Sequence, residues 1–376
     1  MRRTAVSGRR SCARSRTPLP TPDGRPGLSP PGSRPTMKFR EAVRAATVEV
    51  MRKDARVFVL GIGVPDVKGI FGTTVGLADE FGADRAFDIP LSESAVTGIC
   101  VGATFRGLRP IFVHQRIDFT MLTMDQIVNH AAKWRAMFHG AHPVPLVIRA
   151  IVGRGWGNGP QHTQSHHGTF AHIPGLKVVV PATPHDAKGL LIAAVEDDDP
   201  VIYIEHRWLH EEDGEVPDGY YEVPIGKAAV VRAGNDVTVA AVGPYVGEAL
   251  KAAGALAGEG VSAEVLDLRT LRPLDSETLL ASVRRTGRLV VADADWGPCG
   301  VSAELLAVTA EHAFGALKAP PVRVTWPDSP VPSSQALEPG FYPGARQIHA
   351  AVRYTLSRGA SAGLAGSSTK PFEGPF

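Results

Sequence analysis

Cysteine is scarce in this 376-residue chain: Cys12, Cys100 and Cys299 stand far apart and in no Cys-x-x-Cys or Cys/His spacing. That excludes a disulfide framework and a thiolate-ligated zinc or iron–sulfur centre, and makes a reducing, cytoplasmic setting the expectation. Long hydrophobic runs are missing too. The longest, such as residues 144–152 with Arg149 inside, are strand length, far short of the roughly 18 to 20 residues a membrane helix needs. A soluble protein with no membrane role is expected. A strong charge of one sign is absent from the body. Residues 1–36 hold eight arginines against Asp23 alone, whereas the rest of the chain carries 32 basic and 37 acidic residues. A net-negative body lacks the basic stripe of a nucleic-acid binder. Dinucleotide and P-loop fingerprints are also missing: no Gly-x-Gly-x-x-Gly follows the first strand, and no Gly-x-x-x-x-Gly-Lys-Ser/Thr occurs. The one Gly-x-Ser-x-Gly, at 359–363, lies in an aperiodic tail and is no nucleophile elbow.

What is present is alternation. From Met37 onward, helix-period segments (38–53, 74–81, 93–105, 118–138, 184–196) alternate with short Val/Ile-rich runs (57–62, 86–89, 109–113, 144–151, 177–181, 201–205), the pattern of a parallel sheet covered by helices on both faces. Residues 207–226 are acidic, carry Pro217 and Pro224, and read as a linker. A second alternation follows, with strands at 236–242, 262–266, 288–292 and 322–325 and helices at 247–257, 276–285, 301–313 and 344–356. The expected fold is α/β with two doubly wound domains, at 37–206 and 227–357. Residues 1–36, an Arg/Pro-rich stretch with no apolar signal region, and residues 358–376 read as disordered extensions.

Several residues stand where chemistry is done. Glu93 opens a helix after a strand end, with Ser92 as an expected cap. Position alone favours an acid that complements the helix dipole; the functional reading is a carboxyl that exchanges a proton with a ligand nitrogen, which needs a pKa raised by burial among Ile89, Leu91 and Val96. His162 follows the glycine-rich loop 153–159, with His166 and His167 behind it. It reads as a surface histidine or as a proton donor, and less readily as a zinc ligand. Phe119 is either a core aromatic or a platform for a planar heterocycle.

Five segments carry a resemblance when taken together: Leu91-Ser-Glu-Ser-Ala-Val-Thr-Gly-Ile-Cys-Val-Gly-Ala, Asp125-Gln-Ile-Val-Asn-His-Ala-Ala-Lys, Gln161-His-Thr-Gln-Ser, Ala171-His-Ile-Pro-Gly-Leu-Lys-Val-Val and Asp267-Leu-Arg-Thr-Leu-Arg-Pro-Leu-Asp. In order and spacing they resemble the beta subunit of thiamine-diphosphate-dependent 2-oxo acid dehydrogenases, the pyruvate, branched-chain and acetoin group of the transketolase superfamily. The resemblance implies a transketolase-like pyrimidine-binding domain followed by a transketolase C-terminal domain. It puts Glu93 on the glutamate that bonds the aminopyrimidine and helps remove the thiazolium C2 proton. Phe119 falls on the aromatic that stacks on the pyrimidine, with Gln115 beside it, and His162 on the active-site histidine. Leu146, Ala194, Val195, Asp197 and Asp199 fall where some relatives bind potassium.

The Gly-Asp-Gly that carries magnesium and the diphosphate in this superfamily is absent. By resemblance, an alpha subunit supplies that half-site and Mg²⁺, an α2β2 assembly follows, and the chain alone is inactive. The expected reaction is decarboxylation of a 2-oxo acid with transfer of the acyl unit to the lipoyl group of an acyltransferase component. His114-Gln-Arg-Ile-Asp and His166-His167-Gly depart from common relatives and make the pocket look more polar. Two alternatives follow: two-carbon transfer to a sugar or other carbonyl acceptor, as in transketolase or acyloin chemistry, and a non-catalytic scaffold subunit.

Overall fold

A computed structural model describes residues 35–357; the segments before and after, with Cys12, lie outside the described residues. Seven strands form one sheet in the hydrogen-bonded order Thr270–Arg272, Lys177–Val179, Val201–His206, Val147–Val152, Arg109–His114, Val57–Leu60 and Ala86–Phe87. All pairings are parallel except that of Thr270–Arg272, which runs antiparallel to Lys177–Val179. The second sheet orders Val322–Trp326, Leu289–Trp296, Val237–Ala241, Ala263–Asp267 and Ala229–Arg232, the last antiparallel. Every residue of Val147–Val152 and Val201–His206 is buried. Central parallel strands with helices on both faces have no solvent side, so their apolar runs are continuous rather than alternating.

Helix Pro184–Glu196 has the bounds its pattern predicts: Thr183 caps it by accepting from the Asp186 amide at 3.1 Å, and Pro184 occupies the first turn. The helix expected over 118–138 is a composite. It runs as α-helix Ile117–Thr120, a 3₁₀ turn Met121–Thr123, a π-helical stretch Asp125–Ala131 and α-helix Ala132–Met137. Thr123 donates to the Thr120 carbonyl at 2.7 Å inside the tight turn, and Asn129 to Asp125 Oδ1 at 2.8 Å across the wide one. Such changes of winding leave the backbone helical throughout, so apolar periodicity reads as one rod.

The segment expected as a linker holds a 3₁₀ turn, Arg207–Leu209, and a strand, Asp213–Glu215, paired antiparallel with Thr36–Lys38. The short edge strand Thr270–Arg272 carries no apolar run that predicts it, and the one at Ala229–Arg232 has only the brief Ala228-Ala229-Val230-Val231 run. Through Thr270–Arg272 the second half of the chain joins the first sheet. One core cluster likewise takes Phe112, Ile148 and Val178 from the first half and Ala240, Leu266 and Leu305 from the second. At about 1.5 to 3 kcal/mol for each such side chain buried, this seam is a major source of stability.

Candidate active site

Parallel sheets expose helix N-termini and carbonyl-end loops at the C-terminal edge of their strands, where ligands bind. Four loops of the first sheet meet there. The loop after Val57–Leu60 brings Ile62, and the short connection after Ala86–Phe87 brings Ile89, Leu91 and Glu93. The end of Arg109–His114 and the turn that follows bring His114, Gln115, Arg116 and Phe119; the long loop after Val147–Val152 brings His162. Together they line a cavity of about 290 Å³. Glu93, Gln115, Phe119 and His162, far apart in sequence, are therefore neighbours.

Glu93 is half-buried at the first turn of Glu93–Thr104, and its carboxylate has no partner among the described residues. Ser92 stands at the N-cap but makes no capping hydrogen bond. Leu91, expected to bury the carboxyl, is 80% exposed at the cavity mouth, so this chain alone does not seal Glu93 from water. The Gln115 amide donates to the Ile62 carbonyl at 2.6 Å and fixes one wall. The Phe119 ring, 36% exposed, meets His162 edge to face at 5.3 Å. Glycine is required at 153, where a Cβ would stand 2.3 Å from the His162 carbonyl; this close approach seats His162 against the strand end.

The polarity expected from His114-Gln-Arg is real, and the structure distributes it unevenly. His114 is buried with both ring nitrogens unpartnered, and desolvation pushes its pKa down to about 3, so it is a neutral imidazole. Asp118 turns away from the cavity: its Oδ1 accepts from the backbone and side-chain amides of Gln164 at 3.2 and 2.9 Å, and burial raises its pKa. His167 is not in the cavity at all. It is fully buried, with Nδ1 2.8 Å from Ser165 Oγ and Nε2 2.7 Å from Asp293 Oδ1 on the second sheet. Desolvation opposes its charge, but Asp293 and Asp295 outweigh it and raise the pKa. Asp293 also accepts from the Ser302 amide at 2.9 Å, at the start of helix Val301–Ala313. Neither Ser165, His167 nor Asp293 has access to a substrate, so this row is a clasp between the two halves. Asp293 is 126 residues from His167, and no local signal announces the pairing.

The five residues matched to a potassium site cluster at the start of Val147–Val152 and the end of Pro184–Glu196. There the Val195 and Asp197 carbonyls accept from Arg109 Nη1 at 2.7 and 3.0 Å. Lys177 lies 2.6 Å from Asp197 Oδ2 and 3.2 Å from Asp199 Oδ2, Arg135 bonds Asp199 Oδ1 at 2.7 Å, and the Leu146 carbonyl accepts from the Val201 amide at 2.9 Å. Three side-chain cations thus stand against oxygens of Val195, Asp197 and Asp199.

Known proteins match along most of the chain. The transketolase pyrimidine-binding domain matches residues 35–211, and the transketolase C-terminal domain residues 226–348. The beta subunit of acetoin:2,6-dichlorophenolindophenol oxidoreductase from Cupriavidus necator is 46% identical over 333 residues, covering 86% of this chain and 98% of that protein. The 2-oxoisovalerate dehydrogenase beta subunit of Bacillus subtilis is 42% identical, covering 84% and 98%. A mitochondrial pyruvate dehydrogenase E1 subunit beta-2 of Oryza sativa is 42% identical, covering 80% and 81%. A solved split-gene transketolase, described as an inactive beta4 tetramer, superposes with a TM-score of 0.69 at 25% identity, covering 85% of this chain and 98% of that one.

Proposed function

We infer the function from the premise that this chain belongs to the family of beta subunits of thiamine-diphosphate-dependent 2-oxo acid dehydrogenases, with the transketolase-type domains of that family. It is a subunit of a heteromeric enzyme and works with an alpha partner. One observation supports the site assignment above all: Glu93, Gln115, Phe119 and His162 converge on one cavity at the strand ends. The unpartnered Glu93 carboxylate and the aromatic Phe119 wall fit an aminopyrimidine ring, which needs a proton-exchanging acid at one nitrogen and an apolar face.

When bound, thiamine diphosphate supplies the carbanion chemistry that cleaves the bond between the 2-oxo carbon and its carboxylate. Glu93 would hold the ring and exchange a proton with one of its nitrogens. Phe119 orients the ring by stacking. His162, held against Phe119 and Gly153, protonates or stabilises the oxyanion that develops on the substrate. Magnesium and the diphosphate belong to the alpha partner, because this chain has no Gly-Asp-Gly and no group of three or more His, Cys, Asp or Glu among the described residues is placed to hold a metal. The assembly is α2β2, in the cytoplasm, and a lipoyl acyltransferase component takes the acyl unit.

Thiamine-dependent CO₂ release from a panel of 2-oxo acids, measured on the complex with its alpha partner, tests the assignment. Release is expected, and Glu93→Gln should slow thiamine C2 proton exchange about 100-fold or more while the complex stays assembled. Near-native exchange in that variant would remove Glu93 from its role. A thiamine-loaded complex that decarboxylates no 2-oxo acid would overturn the function.

A further inference from the structure

Two arginines, one lining the strand-end cavity and the other lining a second cavity and sharing the Phe71 ring with it, make no ion pair among the described residues. Arg116 lines the cavity just before Phe119; its Nη1 reaches only the neighbouring Gln115 carbonyl, at 2.7 Å, and its Nε is buried without an acceptor. Arg207 stands in the 3₁₀ turn at the end of Val201–His206, and its Nε is buried and unpartnered as well. Both guanidinium groups lie over one ring, Phe71, at 5.1 and 3.8 Å from its centroid, and Arg207 is also 5.2 Å from the centroid of Trp156. Among the described residues neither makes an ion pair with a carboxylate. Asp118, the acid closest in sequence to Arg116, gives its Oδ1 to Gln164 and keeps a buried, unpartnered Oδ2; it favours the Arg116 charge through space without forming an ion pair with it. Phe71, Trp156 and Arg207 open onto a second cavity of about 970 Å³, which Arg40, Arg44 and Lys68 also border together with Glu41 and Glu211; Glu211 is paired with Lys38 and Arg40, and Glu41 accepts from the Lys38 amide.

Burial disfavours both charges, and Arg116 adds to the cost of charging Arg207. Two desolvated like charges stacked on one aromatic ring are unfavourable until an oxyanion joins them, and guanidinium groups bind carboxylate or phosphate oxygens in paired, directed hydrogen bonds. The anion is not the carboxylate that departs as CO₂. A guanidinium locked onto that group would stabilise the ground state more than the transition state, in which its charge is dispersing, and would slow the reaction. We propose that Arg116 and Arg207, stacked on Phe71, form a subsite for a second, permanent negative charge at the far end of the 2-oxo acid, a terminal carboxylate or phosphate ester. The proposal rests on the function inferred above and names the substrate class of the same site.

The test uses the complex with its alpha partner. kcat/KM is compared for 2-oxo acids of equal length that end in a carboxylate, a phosphate ester or a methyl group; the two anionic arms separate the two sources of charge. At least a tenfold preference for one anionic end is expected, and Arg207→Met should reduce that ratio towards one while Arg207→Lys keeps part of it. Equal use of the neutral substrate, or a loss in Arg207→Met that leaves the ratio unchanged, overturns the subsite. A ratio that holds while Arg207→Met loosens assembly also overturns it, assigning the arginines to a carboxylate of the alpha subunit. Equilibrium binding of glutarate and of inorganic phosphate to the same complex, one probe for each anionic end, gives a readout without turnover. Saturable binding weakened tenfold in Arg207→Met supports the subsite even where no 2-oxo acid is decarboxylated, in which case only the inferred function fails; absence of such binding overturns the subsite even where decarboxylation is normal.

Discussion

His162, in a loop, and His167, at the start of helix His167–Ala171, lie five residues apart, yet they serve opposite ends of the protein's physics. His162 is half-exposed on the cavity, its ring against an aromatic edge and its backbone against a glycine that allows close approach. His167 is fully buried with a partner on each ring nitrogen, one of them a carboxylate from the other half of the chain. The polar group with unused hydrogen-bonding capacity at a cavity is the one available to a ligand; the saturated one holds the fold. The same contrast separates Arg116 and Arg207, which have no carboxylate partner, from buried Arg149, which bonds Glu205 Oε1 at 2.6 Å and Thr73 at 2.9 Å.

Substitutions sharpen that contrast. The largest effect is expected from His162→Ala: a loss of about 100-fold or more in kcat with the melting temperature unchanged, checked by turnover and calorimetry on the complex. A large drop in melting temperature would place His162 among the structural residues. Next comes Asp293→Ala. It strands a buried histidine and should destabilise the chain by about 3 to 5 kcal/mol, read by denaturant unfolding, with thiamine binding retained at temperatures where the fold persists.

The pH dependence of the clasp follows from its sign. The pKa of His167 is raised in the folded state, so its contribution is full below the unfolded value of about 6.5 and is lost as pH rises through the folded value. The stability gap between the native chain and His167→Gln should therefore narrow from pH 6 to pH 9; a gap that widens would reverse the assignment of charge. The smallest effect concerns Asp267, where burial, with Asp186 adding to it, pushes the pKa up to about 8. Its raised value means a penalty that grows as pH climbs from about 4 to 8. Asp267→Asn should stabilise the chain, little near pH 4 and most above pH 8, as melting curves across that range would show.

Most elements were legible because their periodicity and caps were local. The Thr183 cap with Pro184, and the apolar period of 301–313, marked helices whose bounds the structure reproduces. The composite helix was not legible, since 3₁₀ and π turns change the winding without interrupting the apolar stripe. Edge strands such as Thr270–Arg272 were missed because a three-residue strand owes its existence to the partner beside it. Of the polar departures noted in sequence, His114 and Arg116 do line the cavity. His167 does not, and Asp293, its partner, carried no signal at all.

Alternating periods and five ordered motifs in the sequence were enough to determine an α/β chain of the thiamine-dependent beta-subunit family, and the missing Gly-Asp-Gly was enough to call for a partner. Only the tertiary structure decided which histidine faces the cavity, which one ties the halves together, and which arginines remain without a counter-ion. The reason is physical. Periodicity and capping are set by neighbours a few residues away, whereas burial and pairing of a polar side chain are set by whatever the fold brings against it, here a carboxylate 126 residues along the chain.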